Sequence, residues 1–214
     1  MKINNKYVYS ESQLTLIKKH PPDHKIWGCS DLESIRCDIR NHYRQEQKGV
    51  CAYCGNLISL TSPLNANVEH IVAKSVQPQF MFESQNMCVI CADCNQIKKD
   101  QEVRNDIPGV LRNNKAQRYP RSSSAFKIVH PHFDIWSEHI IKMGVIYIDR
   151  STKGAYTILT CKLNRYVHAF GIGDAYISDA ELIKQATKVV ESANDFDMEN
   201  ETKKLRQLLI FGSH

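Results

Sequence analysis

Two Cys-x-x-Cys pairs constrain this chain more than anything else in it: Cys51-Ala52-Tyr53-Cys54 and Cys91-Ala92-Asp93-Cys94. Two residues between cysteines let a tight turn aim both sulfurs at one tetrahedral centre, the arrangement that holds zinc. One such pair is weak evidence; two of them, 36 residues apart and flanking a polar segment, are specific. Cys51, Cys54, Cys91 and Cys94 are therefore expected to bind one structural Zn²⁺. The remaining Cys29, Cys37, Cys88 and Cys161 read as small buried hydrophobes. Nothing in the sequence indicates export, so a reducing cytoplasm suits these thiols better than a disulfide framework. No apolar run approaches the roughly 20 residues of a membrane span, and the N-terminus lacks a signal-peptide core. No membrane partner is expected.

The bracketed segment carries Val68-Glu69-His70-Ile71, then Asn86, and Asn95 stands directly after the last cysteine. In order and spacing, these residues resemble the HNH (ββα-metal) endonuclease motif, in the subfamily stapled by a four-cysteine zinc. The resemblance covers about 50 residues and implies a role for each match. His70 matches the general base, Glu69 the acidic metal ligand before it, and Asn86 the asparagine that braces the loop between two strands. Asn95 matches the third position, a metal ligand on the helix. With asparagine there the implied site offers hard oxygen donors, which favours Mg²⁺ or Mn²⁺ over softer transition metals.

The chemistry of phosphodiester hydrolysis needs such residues. Water must lose a proton, the phosphate charge must be neutralised, and the departing 3′ oxygen must be stabilised. A histidine titrates near neutral pH, so neutral His70 suits the first task. A divalent ion on Glu69 and Asn95 suits the others. Lys98 and Lys99, one turn further along the expected helix, either contact phosphate as point charges or remain solvated.

Charge is distributed unevenly. Between Asn95 and Ile128 stand eight basic residues, Arg104 and Arg112 among them, against three acidic ones. That surplus equals the formal +5 of the whole chain. A basic stretch beside such a motif suits a polyanion backbone, and DNA is the expected partner, with RNA or transfer RNA as the open alternatives. The other reading is a solvated linker, given Asn113-Asn114 and Arg121-Ser122-Ser123-Ser124.

The expected fold is α+β, a zinc-stapled ββα core with flanking helices and a C-terminal β-hairpin plus helices. Residues 1–50 read as helical support: a short strand at residues 7–9, then a capping box at Ser10/Gln13 opening a helix that ends before Pro21. A second box at Ser30/Glu33 opens a helix with Leu32, Ile35, Ile39 and Tyr43 on one face, which Gly49 stops. Residues 51–101 form the core, with strands over 65–72 and 87–90 and a helix over 93–101. Residues 102–124 read as a basic linker. Residues 125–214 read as a substrate- or partner-binding unit. There, residues 144–148 and 155–160 flank a turn at 151–154 and are expected to form the hairpin. Further helices are expected over 162–170, after the Ser178/Glu181 box with a stripe at Leu182, Ala186, Val189, Val190 and Ala193, and over 197–211.

His130-Pro131-His132-Phe133-Asp134-Ile135-Trp136-Ser137-Glu138-His139 holds three histidines and two acids. It reads as a loop running into a short helix, with Phe133 and Trp136 as anchors, rather than as a metal site. More loosely, the stretch resembles the region just past the HNH core in small nucleases of bacterial anti-phage defence, of the Septu and retron-associated kind. That resemblance implies an ATPase subunit as partner. The competing expectations are a zinc-ribbon nucleic-acid-binding module without catalysis, or an adaptor subunit.

Overall fold

The chain, a computed structural model, is described over residues 1–21, 23–100, 109–113, 115–171 and 180–211. Residues 1–9 form no strand. Asn5 N donates to Glu46 Oε2 at 2.9 Å and Tyr7 N to Tyr43 Oη at 3.1 Å, both on a distant helix, while Ile3 N donates to Pro131 O at 2.8 Å. With those partners the segment needs no neighbouring strand.

Helix α1 (Glu11–Lys18) opens on the expected capping box, Ser10 and Gln13 each bonding the other's backbone. Helix α2 (Glu33–Glu46) starts differently, because Ser30–Leu32 form a 3₁₀ turn and Leu32 takes the cap position without a side-chain bond. Its stripe is as the spacing predicts, with Leu32, Ile35, Ile39 and Tyr43 all buried. The helix ends where Gly49, at φ +71°, donates its N–H to Arg44 O at 2.8 Å.

Strand β1 (Asn67–His70) pairs antiparallel with β2 (Met87–Ile90), placing Glu69 opposite Cys88 and His70 opposite Met87. Helix α3 (Ala92–Lys98) comes immediately after β2 and packs on β1, while α2 packs on both strands. All four β2 residues are buried. Gln47 completes this strand, its Oε1 accepting Val89 N–H at 2.7 Å while its Nε2 donates to Val89 O at 2.7 Å. An amide side chain thus stands in for a neighbouring strand.

The C-terminal hairpin lies elsewhere than expected. Strands β3 (Ile140–Met143) and β4 (Ile146–Asp149) pair across Gly144-Val145, and residues 155–160 belong to a helix, α5 (Thr152–Thr160). Gly144 sits at φ +56°, which a two-residue hairpin turn requires. Ser151 then caps α5, accepting Gly154 N–H at 3.1 Å, so the supposed turn at 151–154 is a helix start. Gly154 is required there, because a Cβ would come within 1.9 Å of His139 O, on the short helix α4 (Trp136–His139). Helices α6 (Arg165–Phe170), α7 (Ala180–Glu191) and α8 (Asp195–Phe211) complete the described chain. The Ser178 box lies outside the described residues.

The fold is α+β, with small two-stranded sheets and a buried four-cysteine cluster. The chain divides into two compact units. The first comprises 1–140 and 149–162, so residues 125–140 and α5 belong with the cysteines. The second comprises 141–148 and 163–214. Its core gathers Ile146, Ile148, Val167, Ala186 and Leu205, with Val189 packed against them. Val190, expected on the same stripe, is exposed.

Candidate metal centre and the adjoining histidine site

The sulfurs of Cys51, Cys54, Cys91 and Cys94 lie within 4.8 Å of one another, and all four residues are buried. Each knuckle is shaped by its own backbone. Gly55, at φ +64°, turns the first so that its N–H bonds Cys51 O at 2.9 Å. In the second, Cys91 caps α3 and its sulfur accepts Cys94 N–H at 3.5 Å. The Cys54 and Cys91 sulfurs stand 3.7 Å apart. Zn–S bonds of about 2.3 Å in a tetrahedron set sulfurs about 3.8 Å apart, so donors and spacing both fit zinc. Burial pushes the Cys51 thiol up, whereas hydrogen bonds from the other three sulfurs hold Cys91 well down. Four crowded sulfurs thus share their protons unequally, and a dication removes that conflict by taking all four as thiolates.

His70 ends β1 and is buried. Its Nε2 lies 3.0 Å from Met81 O. A carbonyl only accepts, so Nε2 carries the proton and Nδ1 holds the lone pair. Trp27 stands edge-on to the ring at 4.5 Å. Burial, with the Lys74 ammonium second, pulls the His70 pKa down to about 3, so the ring is neutral at physiological pH.

Asn86 is fully buried and laces the loop between the strands. Its Oδ1 accepts Val72 N–H at 2.7 Å, and its Nδ2 donates to Val72 O and Phe80 O, each at 3.0 Å. The loop that presents Met81 O to His70 is therefore pinned by Asn86.

Glu69 and Lys98 form a buried ion pair of 2.6 Å, and the Lys98 ammonium also reaches His70 O at 3.4 Å. Cys94 and Lys98, four residues apart, share the inward face of α3, while Asn95 beside them is half-buried. The helix thus brings Lys98 to Glu69, and Lys98 presents no charge to solvent. Tyr53 Oη, also buried, has no hydrogen-bond partner among the described residues. Burial, and then the nearby Glu69 carboxylate, push its pKa up. The oxygen donors of Glu69 and Asn95 are of the kind a hard divalent ion takes, but Glu69 is already paired with Lys98. Lys99 and Arg112 are exposed, and Arg104 lies outside the described residues.

The histidine-rich patch is structural. Asp134 accepts His130 N–H at 2.7 Å and pairs with Lys153, His132 Nε2 lies 2.7 Å from Met87 O, and Trp136 Nε1 donates to Tyr53 O at 2.9 Å. The four cysteines form the metal-ligand group found among the described residues. Sequence reading overlooked Trp27, Gln47 and the buried role of Lys98. A lysine four residues after a buried cysteine was the available signal for the last.

Neither a protein-family model nor a curated protein matches the chain. Among the described residues, no helix is long and apolar enough to cross a membrane.

Proposed function

We propose that this chain is a metal-dependent HNH endonuclease that hydrolyses DNA, on a ββα core stapled by zinc at Cys51, Cys54, Cys91 and Cys94. The observation that carries the reading is the state of His70. Its proton is on the nitrogen facing Met81 O and its lone pair is on Nδ1. That is the tautomer a general base needs, and Asn86 pins the loop that selects it. His70 takes a proton from water, and Asn86 keeps the ring oriented. Glu69 and Asn95 would hold a Mg²⁺ or Mn²⁺ ion, which supplies positive charge for the phosphate and the leaving oxygen. The exposed Lys99 and Arg112, together with Arg104, belong to the basic stretch that suits the substrate backbone. The looser resemblance adds the biological setting, an anti-phage effector working beside an ATPase subunit.

One observation favours a second reading. The Lys98 ammonium already neutralises Glu69, as it would in a purely structural pair. On that reading the chain is a zinc-ribbon nucleic-acid-binding module without catalysis.

One experiment separates the two. Supercoiled plasmid, single-stranded DNA and transfer RNA are incubated with zinc-loaded protein and Mg²⁺, with and without an ATPase partner, alongside His70→Ala. Metal-dependent cleavage, lowered at least about 100-fold in the variant, is expected for a lost general base. Full activity in His70→Ala overturns the assignment, and Mg²⁺-indifferent binding without product selects the binding module.

A further inference from the structure

An open groove of about 520 Å³ lies on the first unit. Phe80 and Tyr119 meet edge-to-face at 5.3 Å among its lining residues. They are only 2% and 6% exposed, so they shape a floor rather than offer a stacking face. The floor is held by a directional chain. His130 Nδ1 accepts His132 N–H at 3.2 Å, so a neutral His130 carries its proton on Nε2 and donates it to Tyr119 Oη at 2.7 Å. Tyr119 then donates to Gln85 O at 3.1 Å.

Arg121, Arg118, Gln79 and Gln117 also line the groove. Arg121 is fixed by Gln85 Oε1 at 3.1 Å and by Glu83 at 3.5 Å. Arg118, Gln79 and Gln117 are at least partly exposed. Two guanidiniums against one carboxylate leave the lining positive. Both arginines belong to the basic stretch.

The groove adjoins the histidine site through the chain itself. Phe80 O receives the Asn86 amide, and the next carbonyl, Met81 O, receives His70 Nε2. A glutamine amide matches the donor–acceptor edge of adenine, and an arginine fork matches the two acceptors of guanine. Both edges belong to purines.

We infer that this groove is a subsite for a purine nucleotide of the substrate strand, near the bond cut, read by Gln117 and Arg118. The position relative to the cut rests on the nuclease reading; the purine preference does not.

The test uses full-length His70→Ala protein without Mg²⁺, so that binding is measured apart from cleavage. Fluorescence anisotropy compares labelled pyrimidine 12-mers with and without three central purines. The purine-containing strand is expected to bind at least about fivefold tighter, the lower end for one good base contact. The preference should fall below about twofold in the Gln117→Ala/Arg118→Ala protein, whose thermal melt stays unchanged because both side chains reach solvent. Equal affinity for the two strands, or a preference that survives the double substitution, overturns the subsite. Preference lost in the variant while intact protein cleaves nothing upholds the subsite and removes the nuclease. Cleavage without any purine preference does the reverse.

Discussion

Burial of His132 against Met87 O leaves its ring neutral, its pKa pulled down to about 4, chiefly by desolvation. The unfolded chain takes up that proton near pH 6.5 and the folded chain does not. The stability is therefore complete above about pH 6.5 and is lost as pH falls toward 4. Urea unfolding at pH 7, 6, 5 and 4.5 should report a decline of about 1–3 kcal/mol from this residue. In His132→Gln, where an amide keeps the bond to Met87 O, the acid limb should be shallower. Identical slopes in the two proteins would remove His132 as its source. Lys98 teaches a related lesson, since the same side chain reads as a phosphate contact in the sequence and as the buried partner of Glu69 in the fold. A lysine stem is long enough for either, and only the neighbours on its helix face decide.

At the scale of elements, β2 depends on a residue outside any sheet. Gln47→Leu keeps the volume near that of glutamine but orphans the buried Val89 N–H, and loses the bond to Val50 O at 2.8 Å. A cost of about 2–3 kcal/mol is expected in the denaturation midpoint, without loss of cooperativity. A variant as stable as the parent would mean that another group satisfies the strand. Much of this core is legible in sequence: α2 from its apolar stripe and β2 from its apolar run. Gln47 is not, because an amide one residue past a helix resembles any solvated end. The hairpin departs from its expected place for a physical reason. Residues 155–160 carry β-prone side chains, yet the Ser151 cap starts a helix that runs through them, and Thr157 Oγ1 donates to Lys153 O at 2.7 Å within it.

For the whole molecule, zinc is expected to decide whether the first unit folds at all. Sites of this kind contribute roughly 10–16 kcal/mol of apparent binding energy at neutral pH, comparable to the stability of a domain. Purified protein should release one zinc per chain to a colorimetric chelator, and metal removal should lower the melting temperature by more than about 10 °C or abolish the transition. A metal-free protein melting like the parent would overturn the zinc assignment. What the sequence determined by itself is local: two knuckles from their cysteine spacing, the strand–strand–helix order between and after them, and the amphipathic helix before them. Neighbours along the chain are enough to specify those features. Tertiary structure alone decided that Lys98 clasps Glu69, that Trp27 and Met81 O set the environment and tautomer of His70, and that Gln47 closes β2. The partners of a buried polar group are whichever groups share its enclosure, and those arrive from distant parts of the chain.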